Sequence, residues 1–437
     1  MPPDSIRRAA LSACSCRATL GPATLAVLLG LGAMQAHAAP LTLDDALRLA
    51  QERSRQLPAQ DASATAARHM AVAAGQRPDP VLKAGITNLP VNGQDRFSLT
   101  NDFMTMRSVG VMQEFTRKDK LDSRSARFER QAEVAEAGRE LALAALQRDT
   151  AIAWLDRLFQ ERMRDVLVTQ RDEARLQIEA ADAAYRGGRG SQADVFAARS
   201  AVGQIEDRIA QTERQIATAQ TQLARWVGPA ATEVLGQAPA LEAVRLRDAD
   251  LDAQLAHHPQ IEILVKQEAV ARAEADMAQA DKKADVSVEL MYSQRGPAYS
   301  NMVSLNVSIP LQWDQANRQD RELAAKLAAV DQSRAEREEA TRTHVAEVLA
   351  MLQEWRSDRE RLTRYDSSLI PLAVERSRAA LAGYRGGSGA LNGVLESRRA
   401  EIDTRIDRLR LEMDAARLWA QLSYLVPAGH GATEKQP

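Results

Sequence analysis

Strict alternation of apolar and polar residues marks two short segments in the second half of the chain, over 286–292 and 305–311. Successive side chains of a strand point to opposite faces, so each segment is predicted to be a strand with one apolar and one polar face. Two less regular segments, around 80–88 and 107–115, are predicted to be their counterparts in the first half.

Helical periodicity surrounds these strands. Apolar residues recur in steps of three, four and seven at Val345, Val348, Leu352, Trp355, Leu362 and Leu369, and again at Ile402, Ile406, Leu409, Met413 and Ala416. Such steps are typical of coiled-coil seams. The predicted helices cover 42–76, 120–186, 191–226, 251–283, 318–384 and 391–425. At about 1.5 Å per residue, the longest of them reach roughly 90–100 Å.

The two halves of the chain share one plan. Residues 185–199 and 384–398 are identical at 7 of 15 positions, including three glycines in each copy. A strand-like pair at 108–115 and 304–311 keeps almost the same spacing. A fixed period of this kind indicates an internal repeat. We predict a first repeat over 39–227, a linker over 228–250, a second repeat over 251–427 and a disordered tail over 428–437.

The start of the chain has the features of a secretory signal peptide. A basic stretch ending at Arg17 precedes an apolar run over 20–34 and an Ala-x-Ala sequence at 36–38. This order predicts a signal peptide over 1–38. Cys14 lies in a lipoprotein-like sequence, but that sequence comes before the apolar run instead of after it, so lipidation is not predicted.

Composition and charge exclude several classes of protein. The 57 Lys and Arg residues nearly balance 59 Asp and Glu, so the chain lacks the net positive charge that would attract a nucleic acid. No catalytic triad, metalloprotease or nucleotide-binding motif occurs in a supporting context, so neither an enzyme nor a cofactor is predicted. His257 and His258 are adjacent and His344 is isolated, so these residues predict no metal site. The thioethers of Met104 and Met106, two residues apart before a strand, are of the soft kind that binds Cu(I), but we interpret these methionines as packing residues.

Four strands per chain are too few for a membrane barrel, which needs about eight or more. Left open, four amphipathic strands would expose an apolar face and unpaired edges. Three copies sharing one barrel would supply twelve strands. The other possibility is that the strands pack on the protein's own helices.

The order of elements and three short motifs resemble the TolC-type outer membrane efflux proteins over nearly all of 41–427. These motifs are the opening at 41–47, the two Tyr-Arg-Gly-Gly-x-Gly turns, and Ser-Ile-Pro-Leu at 308–311. The resemblance implies a mainly α protein with a membrane β-barrel. It also implies a homotrimer with a shared 12-stranded barrel in the outer membrane of a Gram-negative bacterium and a coiled-coil helical tunnel through the periplasm.

The partners implied by the resemblance are a periplasmic adaptor (membrane fusion protein), an inner membrane pump and outer membrane lipid. The segments 86–115 and 41–50 look most like the branch that serves heavy-metal pumps of the resistance–nodulation–division type, the CzcC- and CusC-like proteins. Cargo of drugs or of secreted proteins is the alternative within this fold. A periplasmic coiled-coil adaptor or scaffold is the alternative from another class, but it would need one hairpin between β-rich domains.

The resemblance also places function at particular residues. The adaptor-docking turns would comprise Tyr185, Arg186, Gly187, Gly188, Arg189 and Gly190, with Tyr384, Arg385, Gly386, Gly387 and Gly389. We expect Gly187 and Gly386 to need positive φ. A cation-selective tunnel gate is predicted at Glu396, with Asp194 at the related place in the first repeat. Both could equally be ordinary helix-surface acids.

Overall fold

The computed structural model describes residues 40–244, Leu255 and 258–427. The predicted signal peptide, the predicted tail and most of the second half of the predicted linker therefore lie outside the described residues. Within the described residues, no helix is both long enough and apolar enough to cross a membrane.

Each half of the described chain runs through helix, two strands, long helix and returning helix. The first half contains α1 (Leu43–Arg53), α2 (Gln56–Ala74), β1 (Val81–Thr87), β2 (Met106–Phe115), α3 (Lys118–Arg186) and α4 (Gln192–Val227). The second contains α5 (Pro259–Asp281), β3 (Val286–Gln294), β4 (Met302–Ser308), α6 (Gln319–Arg364), α7 (Ile370–Arg385) and α8 (Leu391–Ser423). A short 3₁₀ segment (Gly228–Thr232) follows α4, and a π-helical segment (Tyr365–Leu369) joins α6 to α7. The predicted mainly α fold is confirmed.

Caps and prolines explain where the opening helices begin. Thr42 caps α1 by accepting a hydrogen bond from the Asp45 backbone N–H at 3.1 Å. The single helix predicted over 42–76 is instead two helices, because the chain breaks at 54–55 and restarts with Pro58 in the first turn of α2. Proline is tolerated there, since the first helical N–H groups have no partner inside the helix. In the second half, Pro259 is the first residue of α5.

The four strands form one antiparallel sheet in the order β1-β2-β3-β4, so each half contributes a hairpin and β2 pairs with β3 between the halves. The register places Val288 opposite Val307 and Leu290 opposite Leu305, as the alternation predicted. β4 begins and ends three residues before the predicted segment, 305–311. Pro310 has no N–H to donate to a ladder, so pairing stops before it.

The main hydrophobic core lies where the long helices pack together. Trp154, Leu155 and Phe159 of α3 are fully buried there, beside Leu352 of α6. The seam predicted in α8 is confirmed, since every one of its residues is buried. The seam predicted through α6 is wrong at Leu369, which is 40% exposed. Leu369 ends the π segment, whose wider turn rotates it away from the line of the preceding residues.

Candidate functional surfaces: sheet, helical turns and gate

The sheet has one apolar face, and that face is open to the surroundings. Its apolar members are Leu82, Ala84 and Ile86 of β1, Val109, Val111 and Phe115 of β2, Val286, Val288, Leu290 and Tyr292 of β3, and Val303, Leu305 and Val307 of β4. Three polar residues, Arg107, Gln113 and Gln294, share this face. Leu82 is 71% exposed and Leu305 is 67% exposed, whereas Ser108 and Ser293 on the opposite face are buried. The alternative that the strands pack on the protein's own helices is therefore wrong.

The opposite face of the sheet is largely polar. Ser108, Ser293, Ser304 and Asn306 lie on it. Lys83 Nζ donates to Glu289 Oε2 at 2.7 Å across the intervening strand β2. Between these two side chains lies Gly110, where an added Cβ would come within 2.6 Å of the Leu290 carbonyl oxygen. The sheet thus presents water-compatible groups on one side and apolar groups on the other.

Aromatic side chains are exposed near both ends of the strands. Phe115 ends β2 and Trp313 follows β4, at the end of the sheet where the helices begin. Phe97, Phe103 and Tyr299 lie in the two loops at the other end. Aromatic residues at both edges of an apolar band are typical of proteins that contact a bilayer.

The two glycine turns lie side by side at one end of the helices. A small buried cluster contains Ala181 of α3, Val195 of α4, and Leu391 and Val394 of α8, with Tyr384 of α7 packed against it. The same residues therefore hold both helical hairpins together close to their turns. Every predicted docking residue lies in or beside one of these two turns.

Both turns have the same hydrogen-bond pattern, but the expectation about their first glycines is wrong. Gly187 and Gly386 have φ of −82° and −77° and simply end their helices. Positive φ occurs one residue later, at 69° in Gly188 and 75° in Gly387. The first glycine caps the helix and keeps a negative φ, so the left-handed residue is the second glycine in each turn.

Charged groups on the turns remain accessible to a partner. The side chain of Arg186 is 78% exposed and forms an ion pair with Asp182 in the last turn of α3. Arg189 and Arg385 are exposed as well. Tyr185 is 46% exposed, so an aromatic ring accompanies these guanidinium groups.

The structure places the two predicted gate residues in different surroundings. Asp194 belongs to a capping box at the start of α4: its carboxylate accepts from the Ser191 backbone N–H at 2.8 Å, and its own N–H donates to Ser191 Oγ at 3.2 Å. The backbone hydrogen bond from Ser191, together with its hydroxyl, lowers the pKa of Asp194. Glu396 is exposed and lines a cavity of about 890 Å³ between α3, α4 and α8, together with Arg398 and Arg399.

Comparison with solved structures identifies the fold. OprN, an outer membrane channel, superposes with a TM-score of 0.73 at 16% identity, over 89% of this chain and 90% of its own. CusC, whose structures concern transmembrane channel formation, superposes with 0.73 at 15% identity, over 88% and 92%. The outer membrane protein VceC of Vibrio cholerae gives 0.70 at 17%, over 88% and 95%. The chain has the fold of TolC-type outer membrane channels. No family model and no curated relative matches the sequence.

One contact in this channel fold was missed by sequence reasoning. His344 was treated as isolated, but the centroid of its ring lies 4.2 Å from that of the His258 ring, and both side chains are buried. His258 Nδ1 accepts from the Gln260 N–H at 3.2 Å, and its imidazole also bonds to the Leu425 backbone. Burial and the neighbouring His344 lower the pKa of His258 to about 4. No spacing within one helix could have revealed a pair that joins α5 to α6.

Imidazole, thiolate and carboxylate groups do not assemble into a metal site in the part of the chain that the structure describes. No group of three or more such residues is close enough to hold an ion there. Because both nitrogens of His258 already have partners, the His258–His344 pair is not a ready chelate.

Proposed function

We propose that this chain is the outer membrane channel of a tripartite efflux system in a Gram-negative bacterium. The observation that carries the proposal is the exposed apolar face of the four-stranded sheet, backed by a polar face. Such a sheet is unfavourable in water, because it exposes both apolar area and unpaired strand edges. The fold shared with outer membrane channels supports the same function.

In a homotrimer, the two open edges of each sheet would pair with the edges of neighbouring copies. β1 and β4 are the two edges, and the strands alternate in direction, so β1 of one copy meets β4 of the next in antiparallel orientation. Three copies then supply twelve strands, which lies within the range of closed membrane barrels. The same closure puts the apolar face outward, toward outer membrane lipid, and the polar face inward, toward water.

The longest strand of the sheet matches the height of the apolar band in an outer membrane barrel. The longest strand, β2, has 10 residues. At about 3.4 Å per residue it spans about 34 Å, or roughly 26 Å along the membrane normal when tilted by about 40°. The apolar band of such barrels is about 25 Å tall. The exposed aromatic residues at the two ends of the strands would lie at the two interfaces.

The helices would extend the pore away from the membrane. α3 has 69 residues, which corresponds to about 100 Å at about 1.5 Å per residue. In three copies, the long helices of both repeats would enclose a duct that cargo crosses without chemical change. The protein is thus proposed to be a passive conduit and not an enzyme, with energy supplied by a partner pump.

The glycine turns are proposed to dock a periplasmic adaptor. Arg186, Arg189 and Arg385 are exposed at the end of the helices farthest from the sheet, where a partner can reach them. The adaptor would connect the duct to an inner membrane pump of the resistance–nodulation–division type. Heavy-metal cations are the proposed cargo, on the strength of the sequence resemblance to that branch.

The assembly can be tested by measuring the mass of the detergent-purified protein, followed by conductance in planar bilayers. A trimer that needs detergent and conducts ions is the expected result. A monomer that is stable without detergent would overturn the proposal. Cargo requires a separate test, in which a channel-deleted strain regains resistance to metal salts but not to drugs when this chain and its pump are expressed. Resistance to drugs alone would assign the same duct to the other cargo.

A further inference from the structure

Methionines occupy unexpected positions in the sheet. All four methionines in the strands, namely Met106, Met112, Met291 and Met302, lie on the polar face. None lies on the apolar face, where a lipid-facing side chain of that kind would be ordinary. The polar face is otherwise rich in serine and glycine, and it includes the ion pair between Lys83 and Glu289. The thioether side chains of these methionines are therefore an exception on a face that is otherwise mostly polar.

The register arranges these methionines in order along the sheet. Nearest the helices, Met112 lies opposite Val81 and Glu289. In the next row of polar-face residues Met291 lies opposite Gly110, and in the third row Met302 lies opposite Ser293.

The fourth row of the polar face, at the loop end of the sheet, contains Met106 opposite Thr87. Each of four successive rows thus contains one methionine. Three of them, Met112, Met291 and Met302, are diagonal neighbours on adjacent strands. Diagonal neighbours have Cα atoms about 7–8 Å apart, within reach of long flexible side chains.

Packing does not account for these positions. Met302 is 44% exposed, and the other three are only half-buried. Apart from Val81 opposite Met112, their cross-strand neighbours are small or polar, such as Gly110, Ser293 and Ser304, and offer little apolar surface. A methionine stabilises a protein by filling apolar gaps, and this face of the sheet offers few such gaps.

We propose that these four methionines form a line of thioether sites for soft monovalent cations, Cu(I) or Ag(I), along the inner wall of the sheet. Thioether sulfur is a soft ligand that selects such ions over hard divalent cations. Thioethers are also neutral, so each site is weak, and several weak sites in succession are what conduction requires. The role as an exit path rests on the proposed function, whereas binding needs only the sheet that one chain forms.

The binding can be measured on the detergent-purified protein with silver nitrate in chloride-free buffer. We expect the parent chain to bind Ag(I), and the fourfold variant Met106→Leu, Met112→Leu, Met291→Leu and Met302→Leu to lose at least about tenfold in affinity. Leucine keeps the apolar character and approximate volume and removes the sulfur. The matched control is Met70→Leu, because Met70 is 50% exposed on α2, away from the strands. The control should bind Ag(I) as the parent does.

X-ray absorption at the silver edge of the parent gives a second measurement that does not depend on how the fourfold variant folds. Sulfur neighbours are expected, and their number should fall in the single variant Met291→Leu, which removes the middle member of the diagonal. Equal Ag(I) binding by the fourfold variant and the parent, or an edge spectrum with only nitrogen and oxygen neighbours, would overturn the proposal. Either result is independent of trimer mass and conductance, which test the proposed function.

Discussion

Gly188 and Gly387 have the same left-handed backbone conformation, at φ of 69° and 75°, although they lie 199 positions apart in the chain. In both turns, the N–H of this glycine donates to the carbonyl of the tyrosine three residues earlier, at 3.0 Å from Gly188 to Tyr185 and 3.1 Å from Gly387 to Tyr384. The sequence repeat between 185–199 and 384–398 therefore encodes one turn geometry twice.

The first prediction follows from this geometry. Replacing Gly188 or Gly387 by valine should strain its turn by about 1–2 kcal/mol, because a Cβ is disfavoured at positive φ. We expect weaker efflux, measured as cellular resistance, with trimer mass unchanged, since both turns lie far from the sheet. Gly187→Ala is the matched control: its φ is negative, and its Cβ would meet the Ala183 carbonyl oxygen at an ordinary 3.4 Å. Normal resistance with valine at both Gly188 and Gly387 would remove the turns from the adaptor interface.

The second prediction compares neighbouring residues on opposite faces of β4. Leu305→Arg places a charge on the apolar face and should cost about 2–4 kcal/mol in a membrane barrel, with loss of outer membrane insertion. Ser304→Arg places the same charge on the polar face and should be tolerated. Fractionation of cell membranes followed by immunoblotting measures the outer membrane insertion of both variants. Equal insertion of the two variants would show that the exposed apolar face does not contact lipid.

The third prediction separates the two acidic residues at the predicted gate. Glu396→Gln should lower cation preference in planar bilayers, because a threefold assembly loses three charges through one substitution. Asp194→Asn should leave ion preference unchanged and instead destabilise the start of α4 by about 1 kcal/mol, since Asp194 belongs to the capping box. Altered selectivity in Asp194→Asn alone would move the gate to the first repeat.

The fourth prediction concerns pH and the buried histidine pair. The pKa of folded His258 is about 4, below the usual 6.5, so the unfolded chain binds more protons between these values. Stability from this group is complete above pH 6.5 and falls by up to about 1.4 kcal/mol for each pH unit as the pH approaches 4. His258→Asn keeps an N-cap residue and removes the titration. Thermal unfolding at pH 7.5 and 4.5 should show a smaller difference in the variant than in the parent. An equal difference would contradict the prediction.

The sequence predicted the elements of the fold well, because each rests on local periodicity. Both long helices begin and end within two residues of their predicted bounds, although a π segment interrupts the second one. The structure differs from the predicted elements where another constraint overrides the local pattern of residues. The apolar alternation continues to Leu311, but Pro310 cannot extend the ladder. The seam spacing continues to Leu369, but the π segment turns that residue outward.

The candidate sites were less predictable, because they depend on contacts between distant segments. Glycine spacing located both turns, yet it could not show which glycine has positive φ. Asp194 looked like a gate residue by its position in the repeat, and only the structure shows its carboxylate bound to Ser191. The line of four methionines along the polar face could not be predicted from the sequence, since it appears only when the register between four strands is known.

The π segment at Tyr365–Leu369 interrupts the second long helix before its glycine turn, so the long helices of the two halves differ. The first long helix, α3, has no such interruption over Lys118–Arg186. A π segment takes up an extra residue in a locally wider turn, so the second long helix has a local irregularity that the first one lacks. Threefold symmetry relates only copies of the same turn, so in the proposed trimer the six turns would fall into two sets of three, one of them on helices that contain the π segment. A partner that recognises one set would find three equivalent binding places, separated by three of another kind.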